Sequence, residues 1–390
     1  MPPEKAENTQ KRKKFKSMTD CFFPEDAMLS ILTRLPVKTI LRFKSVCRSW
    51  RQLLSTREFM KMHTGQFSSD PKNQSFIIHR YAENCPPLSV FWNIGSDEKK
   101  PSILLQHPCP ETHFLKIVGC CNGLLCVGRT DPLLGPEAIA LWNPAMKLFK
   151  FVRIPENEDF MSPPETVSHG FGYDAEVDDY KVVRIVCSKE KENHSDPTTR
   201  VEVYSVNSDS WITISPSFDF RVFNTKNVII VNGNPYWYAE VDVFSESRRD
   251  DVLVWFDVRK MVFKVSPLCS HDDPSYDTAS LLVDWEGSLG ALVYITDDEC
   301  DQRVESVDVW VFDDGDYIWR KSRTFGPIEV DLCLILQCSM NRKIMGFCGS
   351  GNLIVYDLET GSVKVHGSQQ RCVQTYSYPY TESLTYLKGN

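Results

Sequence analysis

The sequence has no run of 18 or more apolar residues, so no membrane-spanning helix is expected. Its opening stretch, MPPEKAENTQKRKKFKSM, has no apolar core and does not read as a secretory signal. Fourteen cysteines occur without a single CxxC pair, and with no signal they are expected to be reduced thiols of the cytosol or nucleus. Cys120, Cys121 and Cys126 cluster, but their spacing is wrong for zinc and no histidine pair follows. Catalytic signatures are missing as well. There is no phosphate-cradling GxxxxGK loop, no HExxH and no GxSxG. The acidic run Asp313-Asp314-Gly315-Asp316 lacks the twelve-residue calcium loop and its closing Glu. No cofactor, metal or catalytic residue is therefore expected.

What is present is a 390-residue chain, 42% hydrophobic and 25% charged, which suits one large or two ordinary globular domains. Its charge is uneven: residues 1–60 hold 13 Lys/Arg against 6 Asp/Glu, and the remainder 31 against 46. An acidic body disfavours nucleic acid, whose affinity rests on phosphate neutralisation, and steers basic partners toward itself.

Residues 1–19 are polar, with Lys11-Arg12-Lys13-Lys14-Phe15-Lys16, and read as a disordered basic leader or a nuclear-import patch. Order is expected from Pro24, where proline and the following Glu25 and Asp26 suit a first helical turn. Met28, Leu29, Ile31 and Leu32 give one apolar face, and Pro36 ends that helix and begins a second bearing Ile40, Leu41 and Phe43. A third helix is expected to carry Val46, Trp50 and Leu54. Three short helices with so much apolar surface need more than themselves to complete a core. The alternative is a self-contained cap on the larger domain.

The stretch PEDAMLSILTRLPVKTILRFKSVCRSWRQLL (24–54) resembles the F-box along its whole length. That resemblance implies an F-box over residues 20–65, docking on a Skp-type adaptor and through it on a cullin ligase core. The adaptor-facing or core positions it suggests are Pro24, Leu35, Pro36, Ile40, Leu41, Val46 and Trp50.

Beyond residue 70 helical periodicity gives way to short β-rich runs between Gly, Asn, Asp and Pro turns. Units such as CCNGLLCVG–AIALWNP–KLFKFVRIP (120–155) recur, with glycines at 123, 172, 233, 287 and 351 bounding a strand in each. This self-similarity predicts a mainly antiparallel β-propeller over 70–390, of about six four-stranded blades, closed by the C-terminal CVQTYSYPYTESLTYLK returning to SFIIHRY (75–81). A pair of β-sandwiches is the second architecture. The recurring Trp142, Trp211, Trp255, Trp310 and Trp319 read as packing between blades, and His169 as a structural histidine. Overall the fold class is α+β by segments.

CCNGLLCV, LWNPA, HGFGYDAEVDDYKVVRIV, VEVYSVNSDSW, PYWYA, VLVWFDV and VDVWVFDD resemble, in order, the F-box-associated domain of plants. The TFGPI region and the LTYLK ending are similar to the S-locus F-box group of pollen self-incompatibility, which implies a basic S-ribonuclease as target. The expected function is thus a non-catalytic substrate receptor of a ubiquitin ligase, cytoplasmic or also nuclear. The same motifs suit a receptor for a defence or hormone-signalling target. The reading from another class, a propeller enzyme, would need acid and base groups converging on the ring axis. Loops 129–137, 156–167, 188–200, 241–251, 269–279 and 296–306 are expected to carry specificity. The acidic residues expected to meet a basic target are Glu156, Glu158, Asp159, Glu176, Asp178, Asp179, Asp242, Asp272, Asp273, Asp297, Asp298 and Glu299.

Overall fold

The structure is a computed structural model that describes residues 24–80, 88–92, 103–104, 116–129, 137–155, 166–187, 199–222, 228–243, 248–269, 278–296, 304–330, 332–338, 342–368 and 375–387. The basic leader lies outside them. Four helices come first, rather than the expected three: α1 (Glu25–Leu32), α2 (Val37–Phe43), α3 (Arg48–Leu53) and α4 (Arg57–Ser68). Pro24 and Pro36 stand at the N-caps of α1 and α2, where no N–H is needed. Thr56 caps α4 by accepting from the Phe59 N–H at 3.2 Å. α3 begins at Arg48, capped by the Cys47 sulfur, so Val46 lies in the preceding turn and is 65% exposed instead of facing inward. None of these helices is long enough to persist alone, and their stability comes from packing.

Strands follow in chain order. The first sheet starts with β1 (Ser75–Arg80), β2 (Leu88–Trp92) and β3 (Ile103–Leu104). Next come β4 (Lys116–Cys121), β5 (Leu124–Arg129), β6 (Ala138–Asn143) and β7 (Leu148–Val152), and then β8 (Thr166–Asp174), β9 (Asp179–Cys187), β10 (Thr199–Ser205) and β11 (Ser210–Ile214). The third group is β12 (Arg221–Val222), β13 (Ile229–Val231), β14 (Asn234–Val243), β15 (Arg248–Asp257) and β16 (Val262–Pro267). β17 (Thr278–Trp285), β18 (Ser288–Thr296), β19 (Val304–Asp313) and β20 (Ile318–Phe325) precede β21 (Leu332–Cys338), β22 (Lys343–Cys348), β23 (Asn352–Asp357) and β24 (Val363–Ser368). The last strand, β25 (Thr375–Tyr380), pairs antiparallel with β1, Ile77 opposite Tyr378, so the two ends of the chain close the ring as expected.

Six like blades are not what forms. Five sheets have four strands each, and the third group is a five-stranded sheet in which β12 and β13 both pair with β14. Five inner strands, β25, β4, β13, β17 and β21, line the ring axis, and no residue of β8 does. β8 is packed between β4 and β14 instead. Gly172, expected to bound a strand, lies inside β8. A Cβ there would stand 2.5 Å from the Gly233 carbonyl, which accepts from the Tyr173 N–H at 2.9 Å. The other expected glycines do turn hairpins: Asn122 and Gly123 both adopt left-handed backbone, φ 49° and 71°.

Tryptophan repeats have a repeated job. Trp142, Trp237 and Trp255 are buried between sheets, and on outer strands Trp211 donates to the Arg153 carbonyl at 2.7 Å and Trp319 to that of Pro267 at 3.0 Å. Each indole thus ties one outer strand to the preceding sheet.

Because the strands alternate in direction, their connections alternate between two ends of the propeller. The hairpin turns after β4, β6 and β8 meet the helical unit, through Asn122, Ala145, Met146 and Asp178. The strand ends flanking all six candidate specificity loops lie at the other, far end. Ring closure predicts the effect of a single core truncation. Ile77, fully buried against Tyr378 and Tyr380, should cost about 2–5 kcal/mol when replaced by Ala. Urea unfolding of the Ile77→Ala chain measures this, and a loss below 1 kcal/mol would show that closure contributes little.

Candidate functional site

Residues 381–387, which follow β25, run beneath the helices. Leu384 inserts there into the helical core beside Leu32, Val37, Ile40, Leu54 and Phe59, each no more than 2% exposed. Asn143, itself fully buried, donates through Nδ2 to the carbonyls of Ser383 (3.1 Å) and Thr385 (2.8 Å) and accepts from the Met146 N–H at 3.1 Å. The Thr385 hydroxyl donates to the Asn122 carbonyl at 3.3 Å. The Asn-Pro-Ala of the LWNPA motif therefore serves as a bracket for the C-terminal strap.

α4 joins the two parts from the other side. Arg57 is paired with the Asp178 carboxylate and donates to its backbone carbonyl at 2.6 Å, and Lys61 donates to the Ala175 carbonyl at 3.3 Å. On its inner face His63 lies stacked against Phe67, 5.2 Å between ring centroids, and its Nε2 donates to the Leu35 carbonyl at 2.8 Å. Burial lowers the His63 pKa, and the bond to Leu35 only partly offsets that.

With the back of the helical unit filled by Leu384, the expected docking residues divide. Ile40 is fully buried in the unit's own core; Leu35 and Leu41 are half-buried against it. Trp50 is half-buried and meets Phe43 edge-on at 5.1 Å. Pro24, Pro36 and Val46 are exposed, and Ile31, not among the expected docking residues, is 52% exposed as well. Large apolar side chains left in water on so small a unit mark a contact surface. Cys47, at the start of α3, is exposed with its thiol pKa lowered by hydrogen bonding to Ser49 and to the Trp50 N–H.

The acidic residues expected to meet a target are placed differently. Glu176, Asp178 and Asp179 belong to the β8–β9 hairpin at the helical end, and their charge is met within the chain. Glu176 pairs with Arg259, Asp178 with Arg57 and the Tyr173 hydroxyl, and buried Asp179 accepts from the Ser205 hydroxyl (2.7 Å) and the Asn207 N–H (2.9 Å). Asp242 belongs to β14 by its backbone, but its side chain lies outside the described residues, as do Glu156, Glu158, Asp159, Asp272, Asp273, Asp297, Asp298 and Glu299.

Toward the far end stands a buried ion network that the sequence did not suggest. Arg184 forks onto Glu137 (2.8 and 2.7 Å) and reaches Glu202 at 2.6 Å, and Arg200 joins Glu202 at 2.9 Å. His169, read as structural, is buried there and contacts Glu137 at 2.8 Å. Burial alone would raise the Glu137 carboxyl, but the hydrogen bonds and charges of His169 and Arg184 hold it at about 2. The network ties the strand ends that flank loops 130–136 and 188–198. Cys120, Cys121 and Cys126 sit in packed sheet, their thiol pKa values raised by burial, Cys121 to about 12.

Arg57, His63, Asn143 and Leu384 were not singled out from the sequence. Phe59, His63 and Phe67 at helical spacing after Thr56 were a readable signal for α4. Nothing local marks Leu384 as part of a helical core more than 300 positions earlier.

Residues 87–341 match the family model described as the F-box associated beta propeller domain, and residues 21–62 match the F-box domain. The F-box protein At3g08750 of Arabidopsis thaliana is 27% identical over 295 residues, covering 72% of this chain and 71% of its own. The F-box/kelch-repeat protein At3g23880 of the same plant is 28% identical over 315 residues, covering 76% and 78%. Among solved structures, an oligogalacturonate lyase in complex with manganese aligns over 62% of this chain and 61% of its own, with a TM-score of 0.35 and 8% identity, too loose to bear on function.

Two outcomes follow from the joint. Leu384→Ala should remove about 2–5 kcal/mol from the helical unit while the propeller keeps its own transition, read as an early, separate loss of helical ellipticity. A single unchanged transition would contradict the role given to Leu384. His63 has a folded pKa below its ordinary value near 6.5, so its contribution is intact above that pH and is lost as pH falls and the ring must charge. Helical-unit stability should therefore decline below about pH 6.5, and His63→Phe should flatten that decline. An equal slope in the variant would assign the pH dependence to other groups.

Proposed function

We propose a function from one premise: the chain belongs to the F-box proteins that carry an F-box associated β-propeller domain. On that premise it is a substrate receptor of a Skp–cullin–F-box ubiquitin ligase. The helices hold a Skp-type adaptor and the propeller holds a protein target. The observation that carries this reading is the exposure of Ile31, Val46, Pro24 and Pro36 on a helical unit whose own core is completed by Leu384.

The mechanism is positional. Adaptor and target are bound at opposite ends of one packed body, so a target lysine is presented to the ubiquitin-loaded enzyme at raised effective concentration. The reading makes the chain a carrier that itself forms no bond. Target choice falls to the far end, where the long connections leave and where the Arg184 network anchors two of their bases. The acidic surplus after position 60, 46 acidic against 31 basic residues, favours a basic target, S-ribonucleases among them. Transcripts confined to pollen support that target, and broad leaf expression supports a defence or signalling target instead. The cytosol and nucleus, where reduced cysteines persist, are the proposed compartments.

The decisive experiment is affinity capture with the intact chain and with Ile31→Asp/Val46→Asp. Both positions are solvent-exposed, so the variant should fold with an unchanged unfolding temperature. Adaptor capture should fall at least a hundredfold, while target capture stays and weakens as salt rises. Full adaptor capture by the folded variant would overturn the docking face.

A further inference from the structure

The joint between α4 and the propeller leaves a space that neither adaptor docking nor target choice uses. Residues of α4, of the β8–β9 hairpin and of the strap line a cleft of about 410 Å³, within the size range of small-molecule sites. On α4 its wall runs through Arg57, Lys61, Thr64 and Ser68, a stripe at helical spacing. That stripe covers the whole helix, roughly 16 Å at about 1.5 Å per residue, so the cleft is elongated. Ile31 and Val46 do not line it.

Its charge is gathered at one end. Among the described residues that line the cleft, Arg57 and Lys61 are the only cations and Asp178 the only acid. Both oxygens of Asp178 are engaged: Oδ1 accepts from the Tyr173 hydroxyl at 2.6 Å, and Oδ2 is paired with Arg57. Burial would raise the Asp178 carboxyl, but these two bonds hold it below its ordinary value and keep it ionised. The cations are less fully engaged. Arg57 uses Nε and one Nη on Asp178, and its other Nη has no acceptor among the described residues. Lys61 donates to the Ala175 carbonyl at 3.3 Å, which leaves two ammonium N–H groups. One positive charge is therefore left over at this end, and it favours an anion.

The rest of the wall suits a hydrocarbon. Met60, Tyr180, Val206 and Tyr386 bring apolar surface to it, and Tyr386 is 53% exposed. Hydroxyls along the cleft are engaged inside the protein. Thr64 donates to the Met60 carbonyl at 2.9 Å, Ser68 to that of Thr64, and Thr385 to that of Asn122 at 3.3 Å, so none of the three offers a guest its proton. Gly65 keeps the wall low: a Cβ there would meet nothing within 4 Å, and its φ is not positive. Neither crowding nor backbone conformation calls for glycine at that position, and glycine inside a helix is less stable than alanine. What its missing side chain leaves is room in the cleft.

We propose that this cleft binds an elongated amphipathic carboxylate. Its hydrocarbon body lies along α4 past Gly65, and its anionic end takes the spare N–H groups of Lys61 and Arg57. A neutral molecule of the same shape leaves those groups unused, and a cation is repelled by them. Because α4, the propeller and the strap all line the cleft, such a guest joins the helical unit to the propeller.

The test uses the intact chain with decanoate and two analogues of the same length, neutral 1-decanol and cationic decylammonium, measured by titration calorimetry. Decanoate should bind with one-to-one stoichiometry, and both analogues should bind at least about tenfold more weakly. Lys61→Gln removes the charge of an exposed side chain, so it should keep the unfolding temperature and weaken decanoate about tenfold. Lys61→Arg keeps the charge and should hold decanoate within about threefold of the wild-type affinity. Gly65→Leu fills the open space and should abolish decanoate binding without lowering the unfolding temperature, since leucine is the better helix former. No saturable binding of decanoate to the wild-type chain, equal affinity for 1-decanol, or unchanged affinity in either Lys61→Gln or Gly65→Leu overturns the proposal. Adaptor capture is a separate readout, so failure here leaves the docking face untouched.

Discussion

Everything in this molecule turns on the burial of Leu384 in a core built by residues 28–60. Helices of eight, seven and six residues cannot hold themselves together, and α4 adds only one more turned face. The strap from the end of the chain supplies the missing side chain, and Asn143 holds the strap in place. A small helical unit thereby becomes one body with the propeller. Its remaining apolar surface, Ile31 and Val46 foremost, is what stays available to another protein.

The same constraint orders the rest. β25 must reach β1 to close the ring before residues 381–387 can turn beneath the helices. Closure and helix support are thus consecutive parts of one segment. Strand alternation then places the hairpins after β4, β6 and β8 on the helical end and the strand ends that flank the candidate loops on the other. The exposed apolar residues of the helical unit and the strand ends flanking the candidate loops are thereby kept apart along the propeller. Arg57 with Asp178, and Lys61 with the Ala175 carbonyl, fix the orientation of α4 without much intrinsic strength, since exposed ion pairs contribute little.

Much of the fold was legible because its signals are local. Asn122-Gly123 turns a hairpin wherever it occurs between alternating apolar runs, and Pro24 and Pro36 announce helix starts. The pairing of SFIIHRY with the C-terminal strand was also readable, as two unpartnered runs at the ends of a repeating array. Misplacements came where contact overrode pattern. Val46 was put on a helix because its spacing to Trp50 is helical, yet the Cys47 cap starts α3 at Arg48, two residues later. Gly172 was grouped with turn glycines, although its role is to let the Gly233 carbonyl approach β8. Asp178 and Asp179 were expected to meet a basic target, and spacing alone did not show that Asp178 pairs with Arg57 of α4 and that Asp179 accepts from the Ser205 hydroxyl.

By itself the sequence determined the helical start, the antiparallel repeats, the ring closure and the kinship of both parts, since periodicity, turn chemistry and motif spacing are properties of adjacent residues. Only the tertiary structure decided that five strands rather than six line the axis, that Ile40 faces inward while Val46 faces water, and that Leu384 completes a core formed more than 300 residues earlier. The physical reason is that burial depends on which surfaces meet in space, and no local pattern records the distant side of such a contact.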